Sequence, residues 1–243
     1  MEITTPAHQS DHYFSDEERD AVYKSIYLRR DVRGQFKPDP IPDDVLARII
    51  KAAHHAPSVG FMQPWNFLLI KNAQTKKKIH DIFLNANDEA ADMFDSEQGE
   101  IYRQLKLEGI LESPLNMVIT CDRDLAGPVV VGRTHDKSMD LFSSVCAIQN
   151  LWLAARAEGV GVGWVSIFNK KALKQALKLP TSVTPVGYLC IGYVDHFYAK
   201  PELQAAGWRD RLPVEDLICF DEWGNTDNTE HKGLIEALSK PAE

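Results

Sequence analysis

Arg29, Arg30 and Arg33 place three guanidinium groups within five residues. Phosphate oxygens accept paired hydrogen bonds from arginine forks, so this spacing suits an anionic ligand. Asp31 stands among them, and so much positive charge should keep its carboxylate ionised and available as a base. Taken alone, the string reads first as a surface ion-pair cluster at a helix end. A second cluster, Trp208-Arg209-Asp210-Arg211, lies toward the C-terminus, where the alternative is a solvated turn. Between the two runs His54-His55-Ala56-Pro57-Ser58-Val59-Gly60-Phe61-Met62-Gln63-Pro64-Trp65. The small residues Ser58 and Gly60 let main-chain N–H groups approach a flat polar edge, and Gln63 can both donate and accept. Two adjacent histidines without a third ligand at metal spacing make a poor metal site, so none is expected and both are placed at a helix C-terminus.

The surrounding elements must position these groups. Ser15 caps an acidic first turn, predicting a helix that runs into Arg29. After the stiff Pro38, Pro40 and Pro42, the apolar residues Val45, Leu46, Ile49, Ile50 and Ala53 recur at helical spacing. Trp65–Ile70 reads as a strand and Gln74–Leu84 as a mostly exposed helix, with Lys76, Lys77 and Lys78 on a solvated face. Residues 87–111 are polar and helix-compatible, and 114–121 form an apolar strand. Asp136–Glu158 is the most hydrophobic helix, so apolar all round that it must be central or buried between subunits. Strands follow at 163–168 and 186–194, with a short helix at 170–178 between them. Gly159, Gly161 and Gly163 lack the spacing of a dinucleotide loop and are placed in a helix-to-strand turn. Neither a phosphate-binding Walker loop nor a nucleophile elbow is present. About four strands interleaved with about six helices predict a helix-flanked sheet of α/β or α+β class. Regular signals weaken after Asp195, as in a tail that packs against something.

Composition narrows the function classes. The 243 residues are 44% hydrophobic and 26% charged, enough for a substantial core. With 27 Lys and Arg against 35 Asp and Glu, the net charge of −8 disfavours nucleic acid. No apolar run nears the roughly 20 residues of a membrane span, and the polar, acidic start is unlike a signal peptide. A cytoplasmic protein without membrane partners is expected. Cys121, Cys146, Cys190 and Cys219 lie far apart in apolar settings and read as reduced, buried packing residues.

In order, Arg29-Arg30-Asp31-Val32-Arg33, then Pro57-Ser58 through Gln63-Pro64-Trp65, then Gly163-Trp164-Val165-Ser166, then Gly207-Trp208-Arg209-Asp210-Arg211-Leu212-Pro213 resemble the FMN-dependent nitroreductase fold family. Within it they are most similar to the BluB type, the 5,6-dimethylbenzimidazole synthases. The resemblance spans about Arg29 to Trp223. It implies an α+β fold of α/β type: a nitroreductase-like sheet flanked by helices, with a C-terminal extension wrapping the partner of a homodimer. Residues 1–14 would be a disordered start, 15–195 the flavin domain and 196–243 the extension.

Carried over residue by residue, the resemblance implies that Arg29, Arg209 and Arg211 hold the FMN phosphate. Arg33 would take the ribityl or pyrimidine side, with Arg30, Asp31 and Val32 in the same flavin-binding segment. Ser58 and Gly60 would border the ring from the partner chain, and Leu107 falls where a helix covers the flavin. Ordinary members commonly carry Ser where this chain has Asp31. A carboxylate there would repel an anionic reduced ring, so it needs a compensating role. The resemblance makes Asp31 and Ser166 catalytic: Asp31 moves protons, and Ser166 bonds the flavin N5 or its oxygen adduct. Reduced FMN, itself the substrate, would react with O₂ and fragment to 5,6-dimethylbenzimidazole, the lower ligand of cobalamin, and erythrose 4-phosphate. A flavin reductase would supply the reduced FMN. The alternatives are an NAD(P)H-dependent nitroreductase or flavin reductase, and a non-catalytic FMN carrier.

Overall fold

The computed structural model describes residues 13–227 and 229–240. The chain divides into two compact units, Met1–Ala199 and Lys200–Glu243. Most of the N-terminal stretch expected to be disordered, residues 1–12, lies outside the described residues.

In the first unit, helix α1 (Asp16–Leu28) opens as its sequence directs. The Ser15 hydroxyl accepts the Glu18 N–H, and the Glu18 carboxylate accepts the Ser15 N–H, forming a reciprocal cap. Helix α2 (Asp43–His54) ends at the first of the two histidines, as expected. There His54 Nδ1 accepts from the Trp65 indole at 3.1 Å, tying the helix end to the next strand.

Four strands, β1 (Trp65–Ile70), β2 (Leu115–Asp122), β3 (Val160–Val165) and β4 (Val183–Tyr193), form one sheet in the order β1-β2-β4-β3. All three strand pairings are antiparallel, so the class is mixed α+β. Strand periodicity sorts the core into two layers. Met117, Ile119, Leu189 and Ile191 pack toward one apolar cluster, with Ile49 of α2. Their neighbours Val118, Tyr188 and Cys190 pack toward the other, with Ile79 and Phe83. Each fully buried Ile or Leu contributes about 1.5–3 kcal/mol, so these alternating runs dominate the stability of the sheet.

Helix α3 (Ala73–Ala91) supplies Ile79 and Phe83 and outruns its expected end. Helix α4 (Ser96–Gln104) is short, so residues 105–111 are not helical as the 87–111 reading had them. Lys76 does not belong to a solvated face: it is 7% exposed, and its ammonium donates to the Ser113 carbonyl. Burial lowers its pKa.

Helix α5 (Met139–Ala157) buries Ala147, Ile148, Leu151 and Trp152 against the sheet but leaves Phe142 and Val145 exposed. At its start the fully buried Asp140 carboxylate accepts Arg133 at 2.5 Å and pairs with Arg123 at 2.9 Å. These pairs fix the 123–138 loop to the helix. Helix α6 (Lys170–Ala176) follows β3.

Of the three glycines expected in the turn, only Gly159 makes it, with φ +72°. Gly161 and Gly163 lie inside β3, where a Cβ at Gly163 would overlap the Val32 carbonyl. The cysteines also divide. Cys121 and Cys190 are buried, Cys146 is half-buried and Cys219 is exposed, which corrects the expectation of four packing residues. Burial pushes the Cys190 thiol up to about 12, so it is inert.

The second unit holds α7 (Glu202–Ala205), a 3-10 turn at Val214–Leu217 and α8 (Lys232–Leu238). Leu212, Leu217 and Trp223 are exposed. No helix of the described residues is long and apolar enough to cross a membrane.

Candidate active site

The Arg29–Arg33 segment leaves α1 in extended conformation and lines the outer edge of β3. The Val32 N–H donates to the Val162 carbonyl at 3.0 Å, and Asp31 bridges Val162 in parallel register. This pairing covers an edge that would otherwise present bare main-chain groups. It also requires Gly163, because only a residue without Cβ lets the two backbones approach so closely.

The Asp31 carboxylate is held at both oxygens. Oδ2 accepts from Arg33 at 2.8 Å, and Oδ1 accepts the Trp164 main-chain N–H at 2.9 Å. The Arg33 side chain is only 11% exposed, against 31% for Asp31, so the carboxylate is the more accessible partner of the pair. Arg33 also donates to the Lys106 carbonyl at 3.1 Å, which draws the 105–110 segment onto the site.

That segment carries Leu107, which is half-buried and packs against the second core cluster from a non-helical stretch. The expectation of a covering helix at Leu107 is therefore corrected: α4 stops at Gln104. Burial works against the Lys106 ammonium, but Glu108 and Glu112 outweigh it and hold its pKa above the usual lysine value. The buried Glu108 carboxylate also accepts the Ile110 N–H at 2.7 Å, fixing the turn.

The remaining arginines of the cluster differ in setting. Arg30 donates to the carbonyls of Tyr27, Arg29 and Ala199, a structural use of its fork. Arg29 lies over the indole of Trp152, its Cζ 4.6 Å from the ring centroid. Ser166 is exposed one residue beyond β3 and two residues beyond the N–H that binds Asp31. It borders a cavity of about 410 Å³ lined also by Trp164, Phe168, Lys170, Thr184 and Tyr188.

Ser58 and Gly60 are organised by other partners. The Ser58 hydroxyl accepts the Gln63 N–H at 3.0 Å, and the Val59 N–H donates to Ser143 of α5 at 3.0 Å. Gly60 takes φ +53°, with Val130 and Val131 where a Cβ would stand. The adjoining Phe61 is 83% exposed. Arg209 and Arg211 are exposed in the second unit.

One chain thus brings Asp31, Val32, Arg33, Leu107 and the Trp164–Ser166 stretch together, while Ser58 and Gly60 are tied to α5 and the 130–131 loop. Sequence reasoning missed Lys106, Glu108 and Trp152. Gly109 was the available signal for the first two: a Cβ there would meet the Arg33 carbonyl, so the glycine marks a close approach and not a helix.

The set fits a flavin mononucleotide. Arg29 and Arg33 offer cationic donors for its charged and carbonyl groups. The Ser166 cavity joins aromatic walls to a few polar groups, the usual make-up of a site for a flat heteroaromatic ring. Among the described residues no group of three or more His, Cys, Asp or Glu side chains is gathered as a metal site.

Residues 26–193 match the profile of the Nitroreductase family. The chain is 38% identical over 195 residues to a 5,6-dimethylbenzimidazole synthase of Rhodospirillum rubrum, covering 80% of this chain and 92% of the relative. Among solved structures, the fold resembles oxidised iodotyrosine deiodinase bound to FMN and 3-iodo-L-tyrosine, with TM-score 0.65 and 19% identity, covering 83% of this chain and 98% of that one. It also resembles a BluB-like flavoprotein from Clostridium difficile 630, with TM-score 0.63 and 22% identity, covering 86% and 100%. The chain belongs to the nitroreductase family and, within it, to the branch of the 5,6-dimethylbenzimidazole synthases.

Proposed function

We propose that this protein is a 5,6-dimethylbenzimidazole synthase that takes reduced FMN as substrate and fragments it with O₂, releasing 5,6-dimethylbenzimidazole and erythrose 4-phosphate. The observation that carries this reading is the Asp31 carboxylate, fixed between Arg33 and the Trp164 N–H at the edge of β3. Reduced flavin supplies the electrons that O₂ accepts. The protein's part is to bind, orient and move protons.

Arg29 takes the phosphate, with Arg209 and Arg211 as further donors, and Arg33 faces the ribityl or pyrimidine side. Arg30 and Val32 complete the segment by fixing its backbone. Asp31 accepts and returns protons at its carboxylate, which the Arg33 guanidinium and the Trp164 N–H hold in place. Ser166 donates its hydroxyl toward the reacting edge of the ring. Ser58 and Gly60, brought by the partner chain, close over the ring with Leu107 and exclude water.

The active form is a homodimer. Helix α1 has no buried residue, and it exposes Val22, Tyr23, Ile26 and Tyr27 on one face, an apolar stripe that a second subunit would cover. Residues 15–195 serve as the flavin domain and 196–243 as the extension that packs on the dimer. A flavin reductase supplies reduced FMN in the cytoplasm.

The test is the source of electrons. Chemically reduced FMN is expected to support product formation, whereas NAD(P)H added to the FMN-loaded protein is expected to leave the flavin oxidised. Rapid bleaching by NAD(P)H with turnover of a nitroaromatic would instead make the protein an ordinary nitroreductase.

A further inference from the structure

Trp152 lies on α5, only 8% exposed, and three features of the site converge on its indole. The Arg29 guanidinium carbon stands 4.6 Å from the ring centroid. The indole N–H donates to the Arg30 carbonyl at 3.3 Å, fixing the backbone one residue before Asp31. The ring also lies 6.3 Å from that of Trp164, tilted by 52°, and Trp164 donates the main-chain N–H that holds Asp31.

A residue that only filled the core would need no cation over its face. We infer that Trp152 is a positioning residue for the ligand's phosphate: it holds Arg29 in a binding-ready arrangement through the negative face of the indole. An arginine on an extended segment loses rotamer freedom when it clasps an anion. Stacked on a ring fixed in the core by α5, Arg29 has given up part of that freedom beforehand, so less affinity is lost on binding. The inference rests on the proposed role of Arg29 at the phosphate, and the experiment separates the two.

FMN and riboflavin differ only in the phosphate. Titrating both oxidised flavins into the full chain by fluorescence, alongside Arg29→Ala, Trp152→Met and Trp152→Phe, measures the preference for the phosphorylated ligand. Arg29→Ala is expected to lose that preference. Trp152→Met, apolar and without an aromatic face, is expected to weaken FMN by about threefold to tenfold while leaving riboflavin unchanged. Trp152→Phe keeps a ring face and is expected to retain most of the preference.

If Arg29→Ala lowers the preference but Trp152→Met leaves it intact, or weakens both flavins equally, Trp152 is core filling and the inference is overturned. If Arg29→Ala leaves the preference unchanged, the phosphate role of Arg29 fails first and takes the inference with it. Should the methionine variant not fold, Trp152→Leu gives a second route, because it is likewise apolar and without an aromatic face. A reduced preference is then expected, and an unchanged one overturns the inference.

Discussion

In the proposed reaction Asp31 is the base. Asp31→Asn keeps an oxygen for the Arg33 or Trp164 bond but loses the base, so flavin binding should persist within a few-fold. Proton transfer by a positioned side chain contributes about 100-fold to 10,000-fold, so 5,6-dimethylbenzimidazole formation should fall by at least about 100-fold. Product quantified by mass spectrometry against a flavin titration checks both halves, and an unchanged yield would reject the role. At this scale the sequence was informative about charge and silent about partners. The spacing of Arg29, Asp31 and Arg33 is visible in the string, but whether a guanidinium meets a ligand or its own chain is decided by packing. Arg30 donates to three carbonyls, one of them at Ala199, and no local pattern announces such a distant partner.

Strand β3 is the element on which the site depends. A methyl at Gly163 would drive the Val32 carbonyl away and with it the Asp31–Trp164 hydrogen bond. Overpacking of this kind costs about 1–3 kcal/mol. Gly163→Ala is therefore expected to lower stability by that amount in urea denaturation and to weaken flavin binding. A variant with unaltered stability and binding would show that the backbones do not approach as described. Elements with strong periodicity were legible. Trp65–Ile70 coincides with its expected bounds, and the alternating faces of β2 and β4 match a sheet covered on both sides. The ends of elements were less so. Helix α3 continues to Ala91 through Asn85, Asn87 and Asp88, weak helix formers in isolation, because packing outweighs propensity. The 105–110 segment was misread as helix because polarity hid the turn that Glu108 and Gly109 build.

For the whole molecule, the apolar stripe of α1 and the exposed Phe142 and Val145 of α5 argue for a second subunit. Replacing Tyr23 and Ile26 together by Asp should convert a dimer to a single chain in sedimentation and lose most flavin affinity. Two copies that stay together, or a monomer that binds flavin undiminished, would remove the partner from the site. The overall class and family were legible because four motifs occur in order along one chain, and the resemblance they carry implied a homodimer, whereas the apolar stripe of α1 is visible only after folding. In the proposed function this protein destroys its flavin and does not recycle it. Purified protein mixed anaerobically with reduced FMN and then exposed to air should yield 5,6-dimethylbenzimidazole and erythrose 4-phosphate by mass spectrometry as FMN disappears. Complete recovery of oxidised FMN, with neither product formed, would contradict it.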